Sequence, residues 1–168
     1  MADFYAKTEV FLIGETGLEV RRSFRAPVAV VWRAHTEPAL FRRWMIGPPG
    51  YVISACEMDV RPGGAYRITW SNPATAHESA VYGDYREVVE CRRLVTTEFY
   101  DTGEPASALG EGSLQILEFA AGEGFTTVSQ RNDFHTPEAR AEALAGGMCE
   151  GMEPCFEALE AALAKGLV

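Results

Sequence analysis

What the chain has little of narrows its function before any motif is read. Basic residues are scarce: 15 Lys and Arg stand against 24 Asp and Glu, a net charge of −9, and the sequence pI is near 4.8. Affinity for nucleic acid comes mostly from Lys and Arg displacing counterions from phosphates, so no nucleic-acid partner is expected. An anionic membrane surface would repel the same charge. No run approaches the ~18 uninterrupted apolar residues of a membrane helix, and Met1-Ala2-Asp3-Phe4-Tyr5-Ala6-Lys7 lacks the basic-then-apolar order of a secretory signal.

Reactive chemistry is equally thin. Cys56, Cys91, Cys149 and Cys155 have no close paired spacing, which fits a cytoplasmic chain with reduced thiols. The three histidines, His35, His77 and His135, show no i, i+4 pair and no flanking Cys-x-x-Cys, so neither a metal site nor a cofactor is expected. No Gly-x-Ser-x-Gly elbow and no dinucleotide or Walker glycine pattern occurs. Gly110-Glu111-Gly112 and Gly122-Glu123-Gly124 read instead as strand-joining turns, with an acid where a phosphate would be repelled.

What is present is one core's worth of apolar sequence. With 168 residues, 47% of them hydrophobic and 11% aromatic, the chain fits a single domain over 1–168 and excludes disorder. Runs 8–13 and 18–25 read as a hairpin around Gly14 and Gly17, ending at Ala26-Pro27. Pro27 opens a short helix over 28–35 with Val28, Val31, Trp32 and His35 at helical spacing. Thr36-Glu37-Pro38 starts a second short helix, with Thr36 or Glu37 near its cap, and Gly47-Pro48-Pro49-Gly50 stops it.

From 51 to 135 the pattern is strand: runs at 51–60, 64–71, 79–89, 92–100, 112–120 and 124–134 are rich in β-branched and aromatic residues. Their breaks are Arg61-Pro62-Gly63-Gly64, Ser71-Asn72-Pro73, Asp101-Thr102-Gly103-Glu104-Pro105 and Gly122-Glu123-Gly124, with Glu90-Cys91 alone lacking Gly or Pro. Short connections of this kind predict an antiparallel meander. Helical period returns at Thr136-Pro137-Glu138, and Leu144, Met148, Met152, Cys155 or Phe156, Leu159 and Leu163 form one stripe. Pro154 and the nearby glycines predict a kink near 150–154. The fold class is α+β: a curved antiparallel sheet of about seven strands around a long C-terminal helix, with two short helices after the first core strand.

Several pieces together carry a family resemblance. They are Val20-Arg21-Arg22-Ser23-Phe24-Arg25-Ala26-Pro27 with Val31-Trp32, Thr36-Glu37-Pro38 through Phe41-Arg42-Arg43-Trp44, and Gly47-Pro48. Asp59-Val60-Arg61-Pro62-Gly63-Gly64, Gly83-Asp84-Tyr85-Arg86-Glu87-Val88 and a last helix carrying Leu159 continue the order. From about residue 18 onward the chain resembles the activator of heat-shock-protein-90 ATPase homologue-like branch of the START-like, or SRPBCC, superfamily. The resemblance implies the helix-grip fold and a cavity between sheet and helix that holds a small apolar ligand. It implies no single reaction, because members include co-chaperone domains, lipid or polyketide binders and cyclases. Where relatives often carry a bulky aromatic in the last helix, this chain has Gly146-Gly147-Met148 and Gly151-Met152, which would enlarge or loosen the cavity.

Candidate ligand-lining residues follow from the two periods. Met148, Met152 and Phe156 share the helix face toward the sheet, and Tyr66, Ile68 and Trp70 alternate onto one strand face. Trp44, Tyr82, Phe99 and Phe134 complete the set, with Trp44 either gating the mouth beside Gly47-Pro48-Pro49-Gly50 or anchoring its helix. Ordinary core filling explains the same patterns. No catalytic residue is assigned. A cyclase-like enzyme would draw on Tyr66, His77, Asp84 or Arg86 converging in one cavity, whereas a charged pair such as Asp84 and Arg86 more often faces solvent. A chaperone-ATPase-activating interaction module is the further alternative, and a homodimer stays open.

Overall fold

A computed structural model describes residues 3–103 and 112–168. The turn residues Glu104-Pro105 and Gly110-Glu111 and the initial Met1-Ala2 lie outside the described residues. Eight strands form one antiparallel sheet: β1 (Glu9–Ile13), β2 (Gly17–Phe24), β3 (Val52–Met58), β4 (Ala65–Asn72), β5 (His77–Val89), β6 (Arg93–Asp101), β7 (Ser113–Ala121) and β8 (Thr126–Asp133). Their order is β1-β2-β8-β7-β6-β5-β4-β3, so the meander of β3 to β8 is extended by the N-terminal hairpin pairing on β8. The sheet has eight strands where about seven were expected, and run 8–13 of the expected hairpin forms its edge strand β1, paired with β2. Bulges between Ile53 and Ala55 and between Tyr85 and Glu87 interrupt the register, which bends the strands that carry them.

Helices α1 (Val28–Thr36) and α2 (Pro38–Phe41) link β2 to β3, while α3 (Pro137–Ala145) and α4 (Met148–Ala164) follow β8. Glu37, one of the two expected candidates, is the N-cap residue of α2, though neither its side chain nor that of Thr36 bonds that helix end. The Thr36 hydroxyl donates to the Trp32 carbonyl at 2.8 Å, and the Glu37 carboxylate pairs with Arg33 at 2.6 Å. Thr136 does cap α3, its Oγ1 accepting from the Ala139 N–H at 3.1 Å. The Glu90-Cys91 turn forms without glycine because Cys91 itself takes a left-handed φ of 56°.

The C-terminal helical stretch is divided into α3 and α4 at Gly146-Gly147, ahead of the 150–154 segment, which lies within α4. Gly147 has φ +82°, a conformation that costs little only without a Cβ, whereas α4 continues through Pro154. Glycine therefore sets the break between the two helices, and Pro154, inside α4, brings no N–H donor of its own.

The core joins three layers of contacts. Trp32 on α1 meets Phe119 on β7 edge-on at 5.1 Å, and His35 sits between Phe119 at 5.2 Å and Trp44 at 4.8 Å. Phe156 on α4 meets Phe24 on β2 at 5.6 Å and stacks near Trp44 at 6.3 Å. Strand β2 is covered on both faces, and its buried Arg22 reaches Glu160 on α4 at 2.9 Å.

Burial holds the His35 pKa down to about 4, partly opposed by its Nδ1 contact with the Val31 carbonyl at 2.8 Å. The native ring thus stays neutral where the unfolded chain's imidazole, near ~6.5, is already protonated. Stability present in full above pH ~6.5 should be lost as pH falls to about 4, by about 3 kcal/mol in total. Urea unfolding at pH 7 and pH 5 should show wild type losing ground to His35→Phe, and a difference independent of pH would contradict this.

Two glycines should respond oppositely to a methyl group. A Cβ on Gly83 would lie 1.9 Å from the Thr97 carbonyl oxygen, while one on Gly151 meets nothing within 4 Å. Thermal melts should show Gly83→Ala destabilised by about 1–3 kcal/mol and Gly151→Ala stabilised by up to ~1 kcal/mol.

Candidate ligand pocket

An opening in the packing lies between the inner sheet face and the N-terminal half of α4. It is a pocket of about 1050 Å³. Its floor comes from strands whose alternate residues share one face: Tyr66, Ile68 and Trp70 of β4, Leu94, Thr96, Glu98 and Tyr100 of β6, Gln115 and Leu117 of β7, and Val128 and Gln130 of β8. The roof is Met148, Met152, Cys155 and Phe156 of α4, and the segment from Met45 to Pro49 forms one wall.

Seven of the ten residues singled out by pattern line this pocket: Trp44, Tyr66, Ile68, Trp70, Met148, Met152 and Phe156. Three do not. Tyr82 and Phe99 pair across β5 and β6 and stack at 5.5 Å, with the Arg67 guanidinium 5.2 Å from the Tyr82 ring. Their parity is opposite to that of Glu98 and Tyr100, so they occupy the outer sheet face. Phe134 is fully buried just beyond β8, where its N–H bonds the Thr16 carbonyl at 3.1 Å, and it lies outside the lining.

Trp44 is an anchor. Only 1% exposed, it donates from Nε1 to the Ala34 carbonyl at 2.8 Å and packs against Phe41 at 5.2 Å. Trp70 is the residue beside the Gly47-Pro48 segment: a Cβ on Gly47 would lie 2.5 Å from Trp70 Cδ1. Lack of a side chain at Gly47 lets this wall close onto the indole. Cys155 ties the wall to α4, its Sγ donating to the Ile46 carbonyl at 3.3 Å. Burial pushes the Cys155 thiol pKa upward, so it stays protonated and acts as a link, not a nucleophile.

The cyclase-like set does not converge. Tyr66 lines the pocket, but His77, Asp84 and Arg86 are exposed. His77 lies 2.8 Å by Nδ1 from the Tyr51 hydroxyl and 3.2 Å by Nε2 from the Thr102 carbonyl. The Tyr66 hydroxyl donates to the Thr97 carbonyl at 2.8 Å, and burial raises its pKa, so it is held as a neutral phenol. Among the described residues no three His, Cys, Asp or Glu side chains gather as metal ligands would.

Sequence reasoning missed the polar end of the pocket. Buried Glu98 accepts from the Tyr100 hydroxyl at 2.8 Å and from Gln115 Nε2 at 3.0 Å, with Asn132 Nδ2 at 3.4 Å. Gln130 Nε2 in turn donates to Asn132 Oδ1 at 3.0 Å. Burial raises the Glu98 pKa, opposed by its bonds from Tyr100 and Gln115. The legible signal was the alternation Leu94, Thr96, Glu98, Tyr100, which puts a carboxylate on the same face as an apolar residue.

Comparison with known proteins agrees with this architecture. A Rhodobacter sphaeroides protein of known structure is similar over 94% of this chain and 98% of its own, at 29% identity and a TM-score of 0.84. A Nitrosomonas europaea structure is similar at 26% identity and a TM-score of 0.77, covering 93% of this chain and 99% of its own. A Mycobacterium smegmatis protein shares the fold at 22% identity, with a TM-score of 0.81 over 94% of this chain and 96% of its own. No curated protein matches the sequence significantly. Residues 25–164 match the family described as activator of Hsp90 ATPase homolog 1-like protein, spanning both helix pairs and the six strands β3 to β8, without the N-terminal hairpin. On that match the chain belongs to the activator of Hsp90 ATPase homolog 1-like family.

Proposed function

We propose that this protein binds a small, largely apolar molecule between the sheet and α4. The observation that carries the reading is the pocket itself. Its volume of about 1050 Å³ is at the upper end of the ~300–1,000 Å³ of small-molecule sites, and its walls are aromatic and aliphatic apart from one polar end. A solid core would bury Met148 and Met152, yet both are only half-buried. Unbranched thioethers rearrange at low cost, which suits a roof that adjusts to its occupant.

The walls supply shape and desolvation but no reactive team. Cys155 is a protonated thiol bonded to backbone, and His35 is buried and neutral. Apolar area therefore provides most of the affinity, at roughly 25 cal/mol per Å² removed from water. The polar end contributes orientation.

A thermal-shift panel of apolar phenols, alcohols, amines and acids tests the proposal. A ligand present at 100 times its Kd should stabilise the protein by about 2.7 kcal/mol. Met152→Trp should fill the roof side, keep the fold and cut affinity by about tenfold or more, a loss of ~1.4 kcal/mol. No shift with any compound, together with unchanged melting of Met152→Trp, would refute ligand binding here.

A further inference from the structure

We propose that the pocket selects an apolar molecule carrying a cationic amine head, with the Glu98 carboxylate as its counter-ion. This deepens the ligand-binding reading and rests on it.

The argument begins with charge. The lining includes two carboxylates, Glu98 and Glu150, and no Lys or Arg. Residues 104–111 contain no Lys or Arg either. Among the described residues, the ion pairs involve Glu19, Glu37, Glu87, Glu118, Glu153, Glu160, Asp59 and Asp101, and none includes Glu98. Among the described residues, Glu98 is thus a buried acid held by neutral donors, Tyr100, Gln115 and the more distant Asn132.

That arrangement gives the carboxylate a definite chemical preference. An ionised carboxylate offers about four acceptor positions, and the donors among the described residues use three. Burying the charge without a cation is costly, and a protonated amine arriving through the pocket would offset that cost with a charge-assisted hydrogen bond. In a site screened from water this attraction exceeds its value at the surface. A ligand carboxylate would meet the opposite: a like charge and no guanidinium or ammonium to receive it. Glu150, exposed where α4 begins, adds a second negative charge at the pocket rim and favours the approach of cations.

Three probes with one aromatic body separate the possibilities: 2-(2-naphthyl)ethylamine, 2-(2-naphthyl)ethanol and 2-naphthylacetate, titrated calorimetrically into the full chain at pH 7.5. The amine should bind about tenfold or more tightly than the alcohol, and the carboxylate should bind most weakly. Glu98→Gln, close in size and still able to accept from Tyr100, should bring the amine down to the alcohol's affinity while changing the alcohol by less than about threefold. Equal or tighter binding of the alcohol or carboxylate in wild type overturns the proposal without touching the pocket reading, and needs no variant to fold. Equal losses for amine and alcohol in Glu98→Gln overturn it too, by giving Glu98 a merely structural role. Failure of all three probes to bind overturns the amine proposal, while the pocket reading stands or falls on the thermal-shift panel.

Discussion

The structure depends on how α4 is anchored. Its C-terminal half is pinned: Cys155, Phe156, Leu159 and Ala162 are buried, Phe156 meets Phe24 and Trp44, and Arg22 reaches across from β2 to Glu160. Its N-terminal half, from Met148 to Met152, lies over the pocket with only partial burial. One helix therefore does two jobs, closing a packed core at one end and roofing an open volume at the other. Gly147 makes the division workable by letting α3 stop and α4 start at a new angle set by a left-handed residue.

The aromatic layer beneath supports that division. Trp44, His35, Phe41 and Phe119 contact one another at 4.8–5.2 Å, so the short helices α1 and α2 are fixed to β7 before the pocket begins. Well-packed aromatic pairs contribute about 0.5–1.5 kcal/mol each beyond their buried area. The rigid layer holds the wall from Met45 to Pro49, and Gly47 lets that wall rest on Trp70. The opposite end of the pocket is polar, where three adjacent strands deliver Glu98, Gln115 and Asn132 to one place. Such a network rigidifies when its members are satisfied and is expensive when they are not, so Glu98, short of a cation, is the point at which packing alone is least sufficient.

Much of this was legible along the chain. The turns Arg61-Pro62-Gly63-Gly64 and Gly122-Glu123-Gly124 delimit β4 and β8, and Thr136-Pro137-Glu138 starts α3. Alternation at Tyr66, Ile68 and Trp70 and helical spacing at Met148, Met152 and Phe156 picked out residues that line one pocket. Alternation also misled when aromatic character alone was followed: Tyr82 and Phe99 have the wrong parity, and pack on the outside with Arg67. The division between α3 and α4 falls at Gly147, whose positive φ disfavours a Cβ, a break that the helical spacing running from Leu144 to Met148 did not reveal.

What the sequence determined by itself was local: where strands and helices begin and end, and which side chains share a face, because periods of two and 3.6 follow from backbone geometry. What only the tertiary structure decided was which faces meet. Register sets Gln115 opposite Asn132 and Glu98 opposite Ser113, so residues separated by 17 and 34 positions come within hydrogen-bonding reach. No local pattern encodes those juxtapositions, because strand pairing is chosen by the burial of whole faces against α4 and the aromatic layer. The scarcity of basic residues was visible from the start. Only the fold turned it into a property of the pocket, by placing an acid inside without a cation to answer it.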